Sequence, residues 1–178
     1  MLVETPDRKY DAVPADLGLA GIIPGVIAPT ELDDPLLLKG LALWNKLRGE
    51  RAYPSRQQMS PRALGILLRQ VILIKVLDGA KEFQIRIIGD GVLAVQSDPF
   101  QGLTTAEIDA MVPGYGDGLH QMYSHACEVK VPLAFRGRLK REGDGRVFHR
   151  EHLLLPLGET DAAVDHLMSV VVYLQPPL

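Results

Sequence analysis

The chain has 178 residues and a mass of 19.5 kDa, with 19 Lys and Arg against 22 Asp and Glu, a formal charge of -3 and a sequence pI near 5.9. That length suits one domain, or one domain with an N-terminal extension, and the near-neutral charge argues against nucleic acid as the main partner. One cysteine excludes an intramolecular disulfide framework and a thiolate-only zinc site, and the composition is that of a soluble, cytoplasmic globule.

Residues 1–30 read as an irregular arm. Its apolar tract from Leu17 to Pro29 is interrupted by Gly18, Gly21, Pro24 and Gly25 and preceded by Glu4, Asp7, Asp11 and Asp16. It therefore lacks both the basic start of a signal peptide and the roughly 18 apolar residues of a membrane span. Residues 31–178 read as a single domain. Asp34 can cap a long helix that opens on Pro35, where a missing N–H costs nothing, and stops at Gly49. Leu36, Leu37, Leu41, Leu43, Trp44 and Leu47 share its apolar face.

Pro54-Ser55-Arg56 makes an extended link, and Ser60-Pro61 restarts a short helix. Val71–Leu77 is a β-branched run, Asp78-Gly79 a turn, and Phe83, Ile85 and Ile87 alternate with polar residues, which predicts a β-hairpin with those three facing inward. Thr104 or Thr105 can cap one following helix and Asp117 another, whose Leu119, Met122, Tyr123 and Ala126 share a face. Strand signals then cover Leu133–Lys140, Val147–Leu155 and Leu167–Leu174. Two strands, a helical crossover and a three-strand meander predict an α+β fold: a five-stranded antiparallel sheet, helices packed on one face, a long N-terminal helix and a small apolar cavity between.

The residues carry a resemblance in the same order. Leu43-Trp44, Leu47-Arg48-Gly49, Arg51 to Pro54-Ser55-Arg56, Pro61 to Leu64 to Leu67-Leu68, Phe83 to Arg86 to Gly89, Arg136-Gly137-Arg138-Leu139 and Glu151 to Leu157 resemble a bacterial PAS-like family over about residues 34 to 174. Trp44 to Arg56 is the most specific stretch. Gln101-Gly102 departs from the Thr-Gly or similar pair expected before the central helices. The resemblance implies a stand-alone sensory or interaction module without catalysis of its own, working through a small-molecule ligand, a signalling protein partner, or both. It implies a homodimer through the long helix, with Leu37, Leu41 and Trp44 as contacts. Phe83, Ile85, Met122, Tyr123 and Phe135 are the expected cavity lining, inward by alternation or helical phase and equally consistent with a filled core.

Other motifs have competing readings. Gly89-Asp90-Gly91-Val92-Leu93-Ala94 satisfies G-x-G-x-x-A, but a hairpin precedes it and Asp98-Pro99 leaves no room for the long helix of a dinucleotide site, so a turn is expected. His120 or His125 is a candidate axial haem ligand; five residues apart they point roughly 140° from each other and make no metal pair. His149 and His152 face opposite sides of one strand. Cys127 lacks the sequence context of a flavin photosensor and reads as a buried thiol. Arg136, Arg138, Lys140 and Arg141 form a basic strand face, and Glu151 is expected to pair with Arg136 or Arg138. The rival functional class is a small α+β barrel hydrolase or isomerase using a cavity carboxylate or histidine, with Glu151 or His149 as the candidates.

Overall fold

The computed structural model describes residues 25–96, 100–140 and 146–174. Residues 1–24, and with them most of the expected arm, lie outside this set, as do Arg141 and the Asp98-Pro99 pair. The elements are β1 (Gly25–Ile27), α1 (Pro35–Arg48), α2 (Pro61–Leu64), β2 (Val71–Leu77), β3 (Glu82–Ile88), α3 (Asp90–Leu93), α4 (Thr105–Met111), α5 (Tyr115–Val129), β4 (Leu133–Lys140), β5 (Val147–Leu157) and β6 (His166–Leu174), with 3-10 turns at Pro29–Glu31 and Gly65–Gln70. They form one antiparallel sheet in the order β1-β4-β5-β6-β2-β3. The predicted hairpin, crossover and meander are all present, and the crossover brings β2 beside β6.

The sheet differs from expectation in two respects. It has six strands rather than five, because Gly25–Ile27, assigned to the irregular arm, pairs with Ala134–Arg136 of β4. Its helices also cover both faces instead of one. α1 lies over Leu153 of β5 and Val170 of β6, which surround its Gly40, whereas α5 lies over His152 and Val171, which alternate with them and face the other way. This explains why Glu151 to Leu157 is a continuous buried run.

α1 follows its sequence signals. The Asp34 side chain accepts the Leu36 N–H, Pro35 is the first residue, and Gly49 leaves the helix at φ +57°. From its last turns onward, the Trp44 Nε1–H donates to the Pro156 carbonyl at 2.9 Å, Arg51 Nη2 donates to the Gly158 carbonyl at 2.9 Å, and the Gly158 N–H donates to Pro54 O at 3.0 Å. The Trp44–Arg56 segment thereby ties the end of the helix to the β5–β6 loop, with Tyr53 buried beneath it.

In the β2–β3 hairpin, Asp78, Gly79 and Ala80 all take positive φ. Phe83 and Ile85 are buried as predicted, but Ile87 is 43% exposed. The register shifts between Leu73↔Ile87 and Ile74↔Ile85, so Arg86 is an extra residue and Ile88, paired with Ile72, takes the inward position. Gly89 and Gly91 serve packing: a Cβ on Gly89 would sit 2.3 Å from Arg69 O, and one on Gly91 would sit 2.5 Å from Gln70 Nε2. The helix that Gly89 caps has four residues, so the chain turns here and forms no dinucleotide cradle. Thr104 caps α4 with a reciprocal Glu107 bond. α5 begins at Gly114-Tyr115 rather than at Asp117, because Asp109 Oδ1 accepts both the Gly114 and the Asp117 N–H at 2.9 Å.

Glu151 fastens α1 to the sheet. It is 0% exposed and accepts Arg136 Nε at 3.0 Å, Arg136 Nη2 at 2.7 Å, the Asp34 N–H at 2.9 Å and the Asp33 N–H at 3.1 Å. Arg136 also reaches Glu31 O and Asp33 Oδ2. Arg136 is therefore buried in an ion pair with its cross-strand neighbour and does not belong to an exposed basic face. Replacing one partner strands the other charge inside the protein, which costs about 3–5 kcal/mol. Glu151→Ala is expected to lower urea-unfolding stability by that order, and Glu151→Ala with Arg136→Met together by clearly less than the sum of the single changes.

Candidate functional site

A cavity lies between the sheet and the α3–α5 layer. β2 and β3 contribute Ile72, Ile85 and Ile88, α5 contributes Tyr115, Leu119, Met122 and Tyr123, and Val92, Phe100 and Val171 complete the apolar wall. The cavity volume is about 50 Å³, room for a few waters or a ligand of a few heavy atoms. Three of the five residues expected here line it: Ile85, Met122 and Tyr123. Phe83 and Phe135 are buried but do not line it. Phe83 packs edge-on against Tyr123 at 5.5 Å and Phe135 lies 5.3 Å from the His152 ring, so both support lining residues.

The polar part of the wall comes from residues that sequence reasoning did not select. β5 sends Arg150 and His152 inward and β6 sends Ser169 and Tyr173; Arg150 and Tyr173 are direct cross-strand partners. Ser169 and His152 Nε2 share a short hydrogen bond deep in the fold. At the other end, the Gln96 amide donates to Tyr115 Oη at 2.9 Å and accepts from Tyr173 Oη–H at 2.9 Å, joining the helical layer to the last strand. Ser169, set among the apolar residues of Leu167–Leu174, was the available sequence signal. His152 and Arg150 gave none, because β5 is buried on both faces and its alternation carries no polar contrast.

The remaining candidates fall elsewhere. Glu151 and His149 alternate with the lining residues and so lie on the opposite face of the sheet, and Glu151 accepts several donors already, so neither is the cavity acid or base of the hydrolase reading. His120 bonds the Lys81 carbonyl at 3.0 Å in an open polar cleft, His125 is exposed, and neither lines the cavity. With no helix histidine at the wall and so little space, the residues present do not fit haem. Cys127 also lies off the cavity, and burial pushes its thiol up to about 11, which does not suit a nucleophile. Among the described residues no cluster of three His, Cys, Asp or Glu could hold a metal ion. On α1, Leu37 and Trp44 are within the chain's own core and Leu41 is half-buried, so the expected contact face is largely spent on the sheet; Leu38 is exposed.

Burial, and after it the Arg150 charge, holds the His152 imidazole well below its ordinary value. The folded protein thus keeps it neutral, while the unfolded chain protonates it near pH 6.5. Its contribution to stability is complete above that pH and is lost as the pH falls towards the folded value. Urea unfolding should show about 1 kcal/mol of stability lost between pH 6.5 and 5.5 from this group, and His152→Gln should lack that component.

Comparison with curated proteins finds no match. Among solved structures, the chain is similar to the crystal structure of the PAS domain of an HTR-like protein from Haloarcula marismortui, at 18% identity and a TM-score of 0.41, covering 67% of this chain and 95% of that one. Among described residues, no helix is long and apolar enough to cross a membrane. A family model described as PAS domain matches residues 35–172, from the first residue of α1 into β6, and the chain belongs to the PAS domain family.

Proposed function

We propose that this protein is a cytoplasmic, non-catalytic sensory PAS module whose signal is a small molecule held in the cavity and whose output is a change in contact with a signalling partner. The observation that supports this reading is the polar set inside an otherwise apolar cavity. A filled structural core gains nothing from the Ser169–His152 pair or from Arg150, whereas a binding site uses such groups to orient an occupant. The Gln96 bridge between Tyr115 and Tyr173 gives the occupant a contact to break or strengthen. Residues 31–178 act as one unit in this reading. A homodimer through α1 would use its outer surface around Leu38 and Leu41, since Leu37 and Trp44 are inside.

Native mass spectrometry of the protein purified from its own host tests the reading. The expected result is chain mass plus a small organic molecule, lost in a Met122→Trp variant that fills the cavity and keeps a native circular dichroism spectrum. A bare chain, with no change in melting temperature across a library of small metabolites, would overturn it.

A further inference from the structure

We propose that the occupant is a short uncharged alcohol of about two to four carbons, its hydroxyl bonded to His152 Nδ1 and its carbons against the apolar wall. This rests on the cavity-sensing reading above and adds the chemical class of the ligand.

An unmet hydrogen bond is the first argument. His152 is 5% exposed, borders the cavity, and has its Nδ1 buried without a hydrogen-bond partner. Its Nε2 is taken by the Ser169 hydroxyl and its ring packs against Phe135, so the imidazole is held in place. A buried ring nitrogen left unbonded is costly, and a molecule in the cavity can supply the bond. Water suits the place poorly. A buried water usually makes about three bonds, whereas here Gln96 already bridges Tyr115 and Tyr173, and Arg150 keeps an interaction within the chain. A ligand with one polar head needs only the one bond, and Ile72, Ile85, Leu119 and Met122 receive its carbons.

Charge is the second argument. No Asp or Glu lines the cavity, Arg150 is already engaged, and burial keeps His152 and Tyr123 neutral. An ionised occupant would lose its hydration without a free counter-charge, so the occupant is uncharged.

The head group follows from the two tautomers of the ring. With Ser169 donating to Nε2, Nδ1 carries the proton and needs an acceptor; with Nε2–H donating to Ser169, Nδ1 offers a lone pair and needs a donor. A hydroxyl serves both cases, and a carbonyl or ether only the first. Size sets the rest: about 50 Å³ takes a few heavy atoms and excludes rings and longer chains.

The test is nitrogen NMR of the histidine rings of the full chain, titrated with ethanol, 1-propanol and 1-butanol. The matching chloroalkanes, of similar shape but without the hydroxyl, and 1-octanol are the comparisons. At least one short alcohol is expected to shift the His152 Nδ1 resonance saturably, with its chloroalkane about 10-fold weaker and 1-octanol not bound. That resonance is identified by its loss in His152→Phe, which keeps a ring against Phe135 and is expected to abolish the preference for alcohol over chloroalkane. Chloroalkanes that bind as well as the alcohols, or a preference undiminished in His152→Phe, would overturn the assignment and leave the sensing reading in place. If no alcohol shifts His152, the nitrogen faces water alone and the assignment falls too. A bare chain in the native mass measurement would remove the sensing reading with it. If His152→Phe does not fold, the comparison of alcohols with chloroalkanes on the unaltered chain decides the matter alone.

Discussion

A carboxylate sealed from solvent governs how this molecule is put together. Glu151 is tolerable in the interior because it has a full set of donors: a guanidinium from the neighbouring strand and two peptide N–H groups at the start of α1. Each donor fixes a different relationship. Arg136 sets the β4–β5 register, and the Asp33 and Asp34 amides set where the helix meets the sheet. The negative charge also lies at the positive end of the helix. Once Glu151 points towards α1, the pleat leaves Arg150 and His152 no choice but the opposite face, where the cavity is. Helix docking and the polar character of the pocket are therefore two results of one strand phase.

Much of this was legible in the sequence wherever a signal was local. Asp34-Pro35 and Gly49 delimited α1, Asp78-Gly79 marked the hairpin, and the Trp44–Arg56 stretch pointed to the PAS family. The failures come from tertiary context. A single extra residue, Arg86, moved Ile87 outward and Ile88 inward, and no periodicity rule reports a bulge. The apolar face of α1 reads equally well as a partner surface or as a lid on the sheet, and only the packing of Leu37 and Trp44 distinguishes them. Phe83 and Phe135 point the expected way but stand behind other rings.

The candidate site was harder to find for a related reason. Sequence patterns reveal a buried face by contrast with an exposed one, and β5 has no exposed face along most of its length. Its charged and polar residues look like interruptions of an apolar strand until the two helical layers are seen to use alternate positions. Gln101 is a gentler case. It stands where a Thr-Gly or similar pair was expected, and it supplies the turn contact itself, its side-chain oxygen accepting the Ile88 N–H at 3.0 Å.

The three-residue strand β1 protects the sheet. At the far edge, Gly102 and Leu103 exchange hydrogen bonds with Ile85 and so shield β3. At the near edge, Gly25–Ile27 is what lies against β4. A chain trimmed to the start of the PAS homology at residue 35 would bare the hydrogen-bonding edge of Ala134, Phe135 and Arg136, an open template for a second sheet. The short strand thus covers three residues of that edge with a segment that lies upstream of the homology.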